Sequence, residues 1–263
     1  MKALGVAHLT ALELDPFALV RQAAGAGFRS VGLRLHPAMA GGLAYPLSAG
    51  SEQVTRLKAL LREEGVRVGD VEFVQLTPTV QVAEYAGLLE VAAELGAGSL
   101  TVSGDDSDFN RLTDHFAAMC QLAAGVQVRV DLEFMRWRAV GNLQQALQIV
   151  SGAGQANGAI LLDALHLFRS GGDAQAVAQV DRRWLAAAQL CDAPLQSPPE
   201  SGIITEAREG RLAPGAGQLP LAALLAALPE AVQLSVEMPM PGLPVAQRLA
   251  LAYRSTVACV AER

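Results

Sequence analysis

Lysine is almost missing from this chain. Lys2 and Lys58 are the only two, and arginine supplies the rest of the 20 basic residues, set against 26 acidic ones. A net charge of −6 without a basic stripe excludes the electrostatic footprint of a DNA- or RNA-binding protein. It also offers nothing for an anionic membrane surface to hold. Cysteine is scarce as well: Cys120, Cys191 and Cys259 are too few and too scattered for a disulfide framework or a zinc knuckle. Reduced thiols and a cytoplasmic setting are the expectation. No apolar run reaches the ~20 residues that a membrane helix needs. The stretch from Met1 to Ala11 is too short for a secretory leader and is interrupted by His8 and Thr10. A glycine-rich phosphate loop is absent too. The turn where such a loop would sit reads His8-Leu9-Thr10-Ala11-Leu12, which disfavours a dinucleotide or P-loop enzyme. A small molecule is the expected partner.

What the chain does have is apolar mass and alternation. Hydrophobic residues make up 51% of its 263 positions and charged residues 17%. That is enough to bury a large core and too apolar for disorder. Eight β-type runs alternate with helical ones: Ala3 to Leu9, Ser30 to Leu35, Val66 to Val74, Ser99 to Val102, Val126 to Glu133, Ala159 to Asp163, Leu185 to Cys191 and Val232 to Glu237. Between them lie amphipathic segments with helix punctuation. Asp15-Pro16 opens a helix that Gly27 closes, and Ser51 caps one ending near Gly65. Further helices are expected over about 80–95, 109–124, 143–150, 219–228 and from Val245 onward, with a short stretch near His166 and another capped by Asp173. Strands alternating with helices imply parallel βαβ units. Eight of them in a chain near the ~250 residues typical of a (β/α)8 barrel predict one TIM barrel as a single domain, 1–263. The longest connections after strands, 36–50 and 193–218, are candidate substrate loops on the catalytic face.

Barrel enzymes place their chemistry at the C-terminal ends of strands. The run ends here are unusual for apolar segments: Glu133, Asp163 and Glu237 close three of them, and Gln189 lies near the end of a fourth. Carboxylates gathered on one rim repel each other unless a cation or a raised pKa intervenes. A divalent metal held by Glu133, Asp163, Gln189 and Glu237 is therefore predicted. The all-oxygen set favours Mn2+ or Mg2+, with Zn2+ or Co2+ behind them.

The segments Asp163-Ala164-Leu165-His166, Gln189 to Pro194, Arg208 to Gly217 and Ser235 to Pro239 resemble the xylose isomerase-like barrel superfamily, in its sugar phosphate isomerase/epimerase branch. The opening Ala7-His8-Leu9-Thr10 and Val31 to Leu35 are similar to that branch too. The resemblance implies a metal held at successive strand ends by Glu, Asp, His and Glu. Glu133, Asp163 and Glu237 match, whereas Gln189 stands where many relatives have histidine. It further implies substrate contacts from His166 and from Arg208 or Arg211. The implied activity is proton transfer beside a carbonyl, with Glu133 and Glu237 as base and acid and an enediolate between them. That gives an isomerase or epimerase of a small sugar or polyhydroxy carbonyl compound. A lyase acting on a hydroxy-ketone of the dehydroshikimate or inosose type is the alternative on the same site, and a binding barrel that has lost its metal is another. The apurinic endonucleases of the superfamily need several histidines; this acidic chain has four in all.

Plainer roles compete with these. Asp163 can cap the next helix. Asp192 can cap the long loop that follows it. Arg34 can pair with Glu72 rather than meet substrate, although His8 and Arg34 both face the rim on this reading and count as candidate substrate ligands. Trp137 and Trp184 read as packing. Apolar helix faces on the outside of the barrel are candidate homodimer or homotetramer surfaces.

Overall fold

The computed structural model describes residues 3–261. Met1 and Lys2 of the apolar opening, and Glu262 and Arg263 of the stretch where a last helix is expected, lie outside the described residues. Eight parallel strands close into a barrel in chain order. They are β1 (Gly5–Val6), β2 (Ser30–Arg34), β3 (Arg67–Leu76), β4 (Ser99–Gly104), β5 (Arg129–Glu133), β6 (Gly158–Asp163), β7 (Leu185–Leu190) and β8 (Gln233–Val236), with β1 pairing β8 to close the ring. The surrounding helices are α1 (Pro16–Ala26), α2 (Glu52–Glu64), α3 (Ala86–Glu94), α4 (Phe109–Ala124), α5 (Leu143–Ala153), α6 (Ala164–Arg169), α7 (Ala174–Ala178), α8 (Ile203–Glu209), α9 (Leu221–Ala227) and α10 (Val245–Ala261). This is a (β/α)8 TIM barrel. None of the described helices is long and apolar enough to cross a membrane.

The punctuation works as its chemistry requires. The Asp15 carboxylate accepts from the Ala18 N–H at 2.8 Å, Pro16 is the first helical residue, and Gly27 ends α1 at φ 111°. Three expectations needed adjustment. The first strand is cut to Gly5–Val6 because the chain turns into a 3-10 segment at His8–Ala11. There Thr10 donates its hydroxyl to Val236 O and diverts the backbone from the ladder. The fifth strand starts at Arg129 rather than Val126, since Gln127 takes a left-handed φ of 60° that no strand accommodates. The third helix, expected over 80–95, is a 3-10 turn at Val82–Tyr85 followed by α3. In addition, the 193–218 connection contains α8 where the sequence predicts loop; its buried stripe is only the i, i+4 pair Ile203 and Ala207, too short to register as a period.

The apolar core lies between the strands and the helix ring, where Leu33, Val102, Leu132 and Leu162 pack with Leu19, Phe116 and Ile149. The barrel lumen is different. Lumen layers in such barrels are usually bulky and branched. Here Asp70, Ser99, Thr101, Asp131, Gln189, Gln233 and Ser235 line a small internal cavity. Arg129 clamps Asp131 with two bonds of 2.6 Å. Asp70 has only the Thr101 hydroxyl, at 3.2 Å, and fits because Gly32 has no side chain: a Cβ there would lie 2.9 Å from Asp70 Oδ1.

Asp70 borders this cavity. Burial, with Glu72 next, pushes its carboxyl up to about 8, so it is a neutral acid in the folded protein at pH 7. The folded state therefore holds this proton more tightly than the unfolded chain, whose aspartate titrates near pH ~3.9. The stability that Asp70 contributes is full below about pH 4 and is lost as pH rises to about 8. Asp70→Asn keeps the hydrogen-bond acceptor and removes the titration. Its unfolding free energy relative to wild type is expected to climb steadily between about pH 4 and 8 and then level off. Urea unfolding of both proteins across that range checks this, and a difference independent of pH would refute it.

Candidate active site

The wider ends of the lumen layers carry the predicted residues together. Glu133 and Asp163 are the last residues of β5 and β6. Asp163 pairs in register with Gln189 of β7, and the Glu237 N–H bonds to Leu190 O at 3.0 Å just past β8. All four side chains are buried. Asp163 has two roles at once. Its Oδ1 accepts from the His166 N–H at 3.0 Å, capping α6, and its Oδ2 accepts from Arg211 Nη1 at 2.5 Å. The capping alternative is thus correct and does not exclude a functional one.

Arg211 is the centre of the cluster. Its guanidinium, 2% exposed, reaches Asp163 through Nη1 and Glu237 Oε2 through Nη2 at 2.9 Å, while Nε donates to Ala207 O at 2.8 Å. The backbone holds it there through its neighbour. Asp192 and Leu212 exchange two N–H···O bonds of 2.8 Å. The Asp192 carboxylate then gathers the N–H groups of Ala193, Gly215 and Leu219. Gly217 is required at this turn, because a Cβ would stand 2.4 Å from Asp192 Oδ1. Asp192 is therefore a loop clamp and not a ligand contact.

The electrostatics follow from burial and from where Arg211 points. Burial pushes the Asp163 carboxyl up, but Arg211 and His166 together outweigh it and hold the group below the usual carboxylate range. Burial raises Glu237 to about 7 despite Arg211. Glu133 is raised well above its ordinary value by burial, then by the charges of Glu237 and Asp163, and Arg211 offsets only part of this. His166 is lowered to about 4 by burial and is neutral at pH 7. Its Nε2 lies 3.7 Å from Glu133 Oε1 and 3.5 Å from Arg211 Nη2, and the edge of Trp137 packs on the ring at 5.0 Å.

Above the cluster opens a cleft of about 240 Å3, lined by Glu133, His166, Arg211 and Glu237 at its base. Arg34 and Glu72 form one wall, paired at 3.1 Å, so Arg34 has its expected carboxylate partner and still faces the cleft. Arg208, on α8, also lines the cleft. His8 is not part of this cleft. Its Nδ1 accepts from the Arg34 N–H at 2.7 Å, its Nε2 sits 2.9 Å from Leu14 O, and its ring stacks on Tyr45. Both ring nitrogens are committed to backbone and the residue is 0% exposed, so the expectation that His8 contacts substrate is corrected. Sequence reasoning also took Trp137 for packing and passed over Arg138, although both line the cleft. The one available signal was their place in the connection after a strand that ends in Glu133.

The donors suit a divalent cation. Ligand atoms of Glu133, Asp163 and His166 lie within 4.8 Å of one another. Gln189, next to Asp163 in register, has a buried Oε1 without a hydrogen-bond partner, an oxygen chemically able to ligate a hard cation, and its side chain borders the lumen cavity. His166, assigned only to substrate from the sequence, thus joins the candidate ligands.

Comparisons with known proteins agree with the architecture. A 3-dehydroshikimate dehydratase of Pseudomonas aeruginosa is 31% identical over 116 residues, which is 44% of this chain. The chain covers only 18% of that protein's length. Among solved structures, the IOLI protein with a binding zinc atom superposes with a TM-score of 0.80 at 19% identity, covering 99% of this chain and 98% of that one. A D-psicose 3-epimerase with D-tagatose, from Clostridium cellulolyticum H10, gives 0.75 at 15% identity over 98% of this chain and 99% of that one. Likenesses this distant carry the fold. The buried triad of Glu133, Asp163 and His166 is of the kind that can hold a divalent cation. The description "xylose isomerase-like TIM barrel" fits residues 20–256, and the chain belongs to that family.

Proposed function

We propose that this protein is a metal-dependent enzyme that moves a proton beside the carbonyl of a small polyhydroxy carbonyl compound, isomerising or epimerising it through an enediolate. One observation carries the reading. Carboxylates from three separate strands, Glu133, Asp163 and Glu237, converge beneath a cleft, and among the described residues Arg211 is the single guanidinium bonded among them. Structural stability alone does not call for such an arrangement, because buried like charges oppose folding.

Glu133, Asp163, Gln189 and Glu237, with His166 beside them, would hold the cation, with Mn2+ or Mg2+ suiting the oxygen-rich set. When bound, it supplies polarisation of the substrate's carbonyl and hydroxyl oxygens. The rest falls to the chain's own groups. Glu133 and Glu237 face the cleft base and are placed to take a proton from the carbon next to the carbonyl and return it to the neighbouring carbon or the opposite face. Arg211 is fixed between Asp163 and Glu237, where it stabilises negative charge on substrate oxygen. His166 is neutral and able to donate a hydrogen bond to the same oxygens.

A second reading has its own support, the dehydratase relative. The first step is identical; the neighbouring hydroxyl then leaves as water, protonated by the second carboxyl, to give an enone. Solvent deuterium exchange into a panel of ketoses and hydroxy-ketones with added Mn2+ or Mg2+ tests the shared step, and no exchange in any of them would refute both readings. An enone absorbance without isomer separates the second from the first. Gln189→Ala is expected to weaken Mn2+ binding by at least about ten-fold by calorimetry, and Gln189→His to shift preference toward Zn2+. Unchanged affinities would remove Gln189 from the ligand set.

A further inference from the structure

The cleft carries more guanidinium groups than its carboxylates use. Arg34 is neutralised by Glu72, and Arg211 is shared by Asp163 and Glu237. Arg138, on the β5–α5 connection, binds Asp105 through Nη1 at 3.0 Å, yet its Nε is buried without a partner. Arg208, on α8, lines the cleft and makes no ion pair among the described residues. Arg138 also lies near enough to His166 for its charge to be felt there. The arginine lining of the cleft therefore holds one uncompensated positive charge, on Arg208, and one unused buried donor, on Arg138.

We propose that the substrate carries a carboxylate, which Arg208 and Arg138 hold at the arginine lining of the cleft while its carbonyl end meets Glu133 and Glu237. This deepens the proposed function and rests on it. The charge balance selects a carboxylate over a phosphate. Arg138 is already paired, so the lining offers a net charge of one, which a monoanion matches and a dianion exceeds. Guanidinium forks match the planar carboxylate geometry that two-point binding requires. The cleft, about 240 Å3, lies below the usual 300–1,000 Å3 of small-molecule sites, which suits a compact acid. Arg208 sits on the helix that the long β7–α9 connection contributes, three residues before Arg211, so acid recognition and the cation cluster share one segment.

The test is calorimetric binding to the Mn2+-loaded full chain of matched probes. D-tagaturonate is compared with D-tagatose and D-tagatose 6-phosphate, and 3-dehydroshikimate with its methyl ester. The expected result is at least ten-fold tighter binding of an acid than of its neutral counterpart. That preference should disappear in Arg208→Ala, return in part in Arg208→Lys, and fall in Arg138→Ala, while the affinity for neutral ligands stays unchanged. Arg208 is exposed, so its variants are expected to fold. Equal binding of acid and neutral probe, tightest binding of the phosphate, an unaltered preference in Arg208→Ala, or no binding of either acid would each overturn the proposal. Because binding alone is read, an acid that binds without exchange or dehydration defeats the catalytic reading and leaves this one standing. Exchange into neutral ketoses with no preference for acids does the reverse.

Discussion

Arg211→Met is expected to cost about 3–5 kcal/mol of unfolding free energy at neutral pH in protein stripped of divalent ions. The side chain is buried and makes ion pairs with Asp163 at 2.5 Å and with Glu237 at 2.9 Å. Methionine fills much of its volume, so packing loss is the smaller part of the change. The larger part is two buried carboxylates left without their cation, beside a Glu133 whose carboxyl burial and its neighbours already push well above its ordinary value. The pH dependence gives an independent check. In the wild type Arg211, with His166, keeps Asp163 below the usual range, a contribution present above the unfolded pKa and lost as pH falls through the folded one. Without Arg211 the carboxyls take up protons more readily, so the variant's deficit should shrink as pH is lowered toward 5. Saturating Mn2+ should also recover part of the loss, since a divalent ion replaces the missing charge. Urea unfolding at pH 5 and 7.5, with and without Mn2+, measures all three effects. A deficit under about 1 kcal/mol at pH 7.5 would show that Arg211 is not the cation holding these groups in place.

The barrel was legible because its signals are repetitive and local. Caps such as Asp15, Ser51 and Asp108 act on their own first turns, and their helices start where the sequence places them. Strand ends in Glu133 and Asp163 stand out because a carboxylate after an apolar run has few structural uses. His8 was misplaced for the opposite reason. A histidine at a strand end reads as rim chemistry, and nothing local reveals that the Arg34 N–H and Leu14 O take both its nitrogens. The polar lumen was missed because in strands such as Ser99–Gly104 and Gln233–Val236 the alternation of small polar and apolar residues reads the same whether the polar face meets solvent or a barrel interior. Arg211 was a candidate equal with Arg208. What separates them is the two-bond bridge between Asp192 and Leu212, a contact across twenty residues of loop that has no period to read.

Glu133→Gln and Glu237→Gln address the chemistry with little change of shape. Each should lower kcat by about 10²–10⁴, the usual contribution of a positioned proton-transfer group, measured on whichever substrate the deuterium exchange identifies. The two differ in what else they disturb. Burial and the charges of Glu237 and Asp163 push the Glu133 carboxyl well above its ordinary value, so the uncharged glutamine removes a disfavoured charge rather than a stabilising one and stability should stay within about 0.5 kcal/mol of wild type. Glu237 accepts an ion pair from Arg211, and its amide weakens that bond, so Glu237→Gln should lose about 1–3 kcal/mol together with activity. Cation binding requires the deprotonated carboxylate, so wild type should release a proton on taking up Mn2+ and Glu133→Gln should release fewer. Calorimetry in buffers of different ionisation enthalpy counts those protons. A variant that keeps stability, releases fewer protons and loses activity marks Glu133 as a reacting group rather than a structural one. If Glu133→Gln retains kcat within ten-fold of wild type, proton transfer by that residue is excluded, and Glu237 would have to serve as both base and acid.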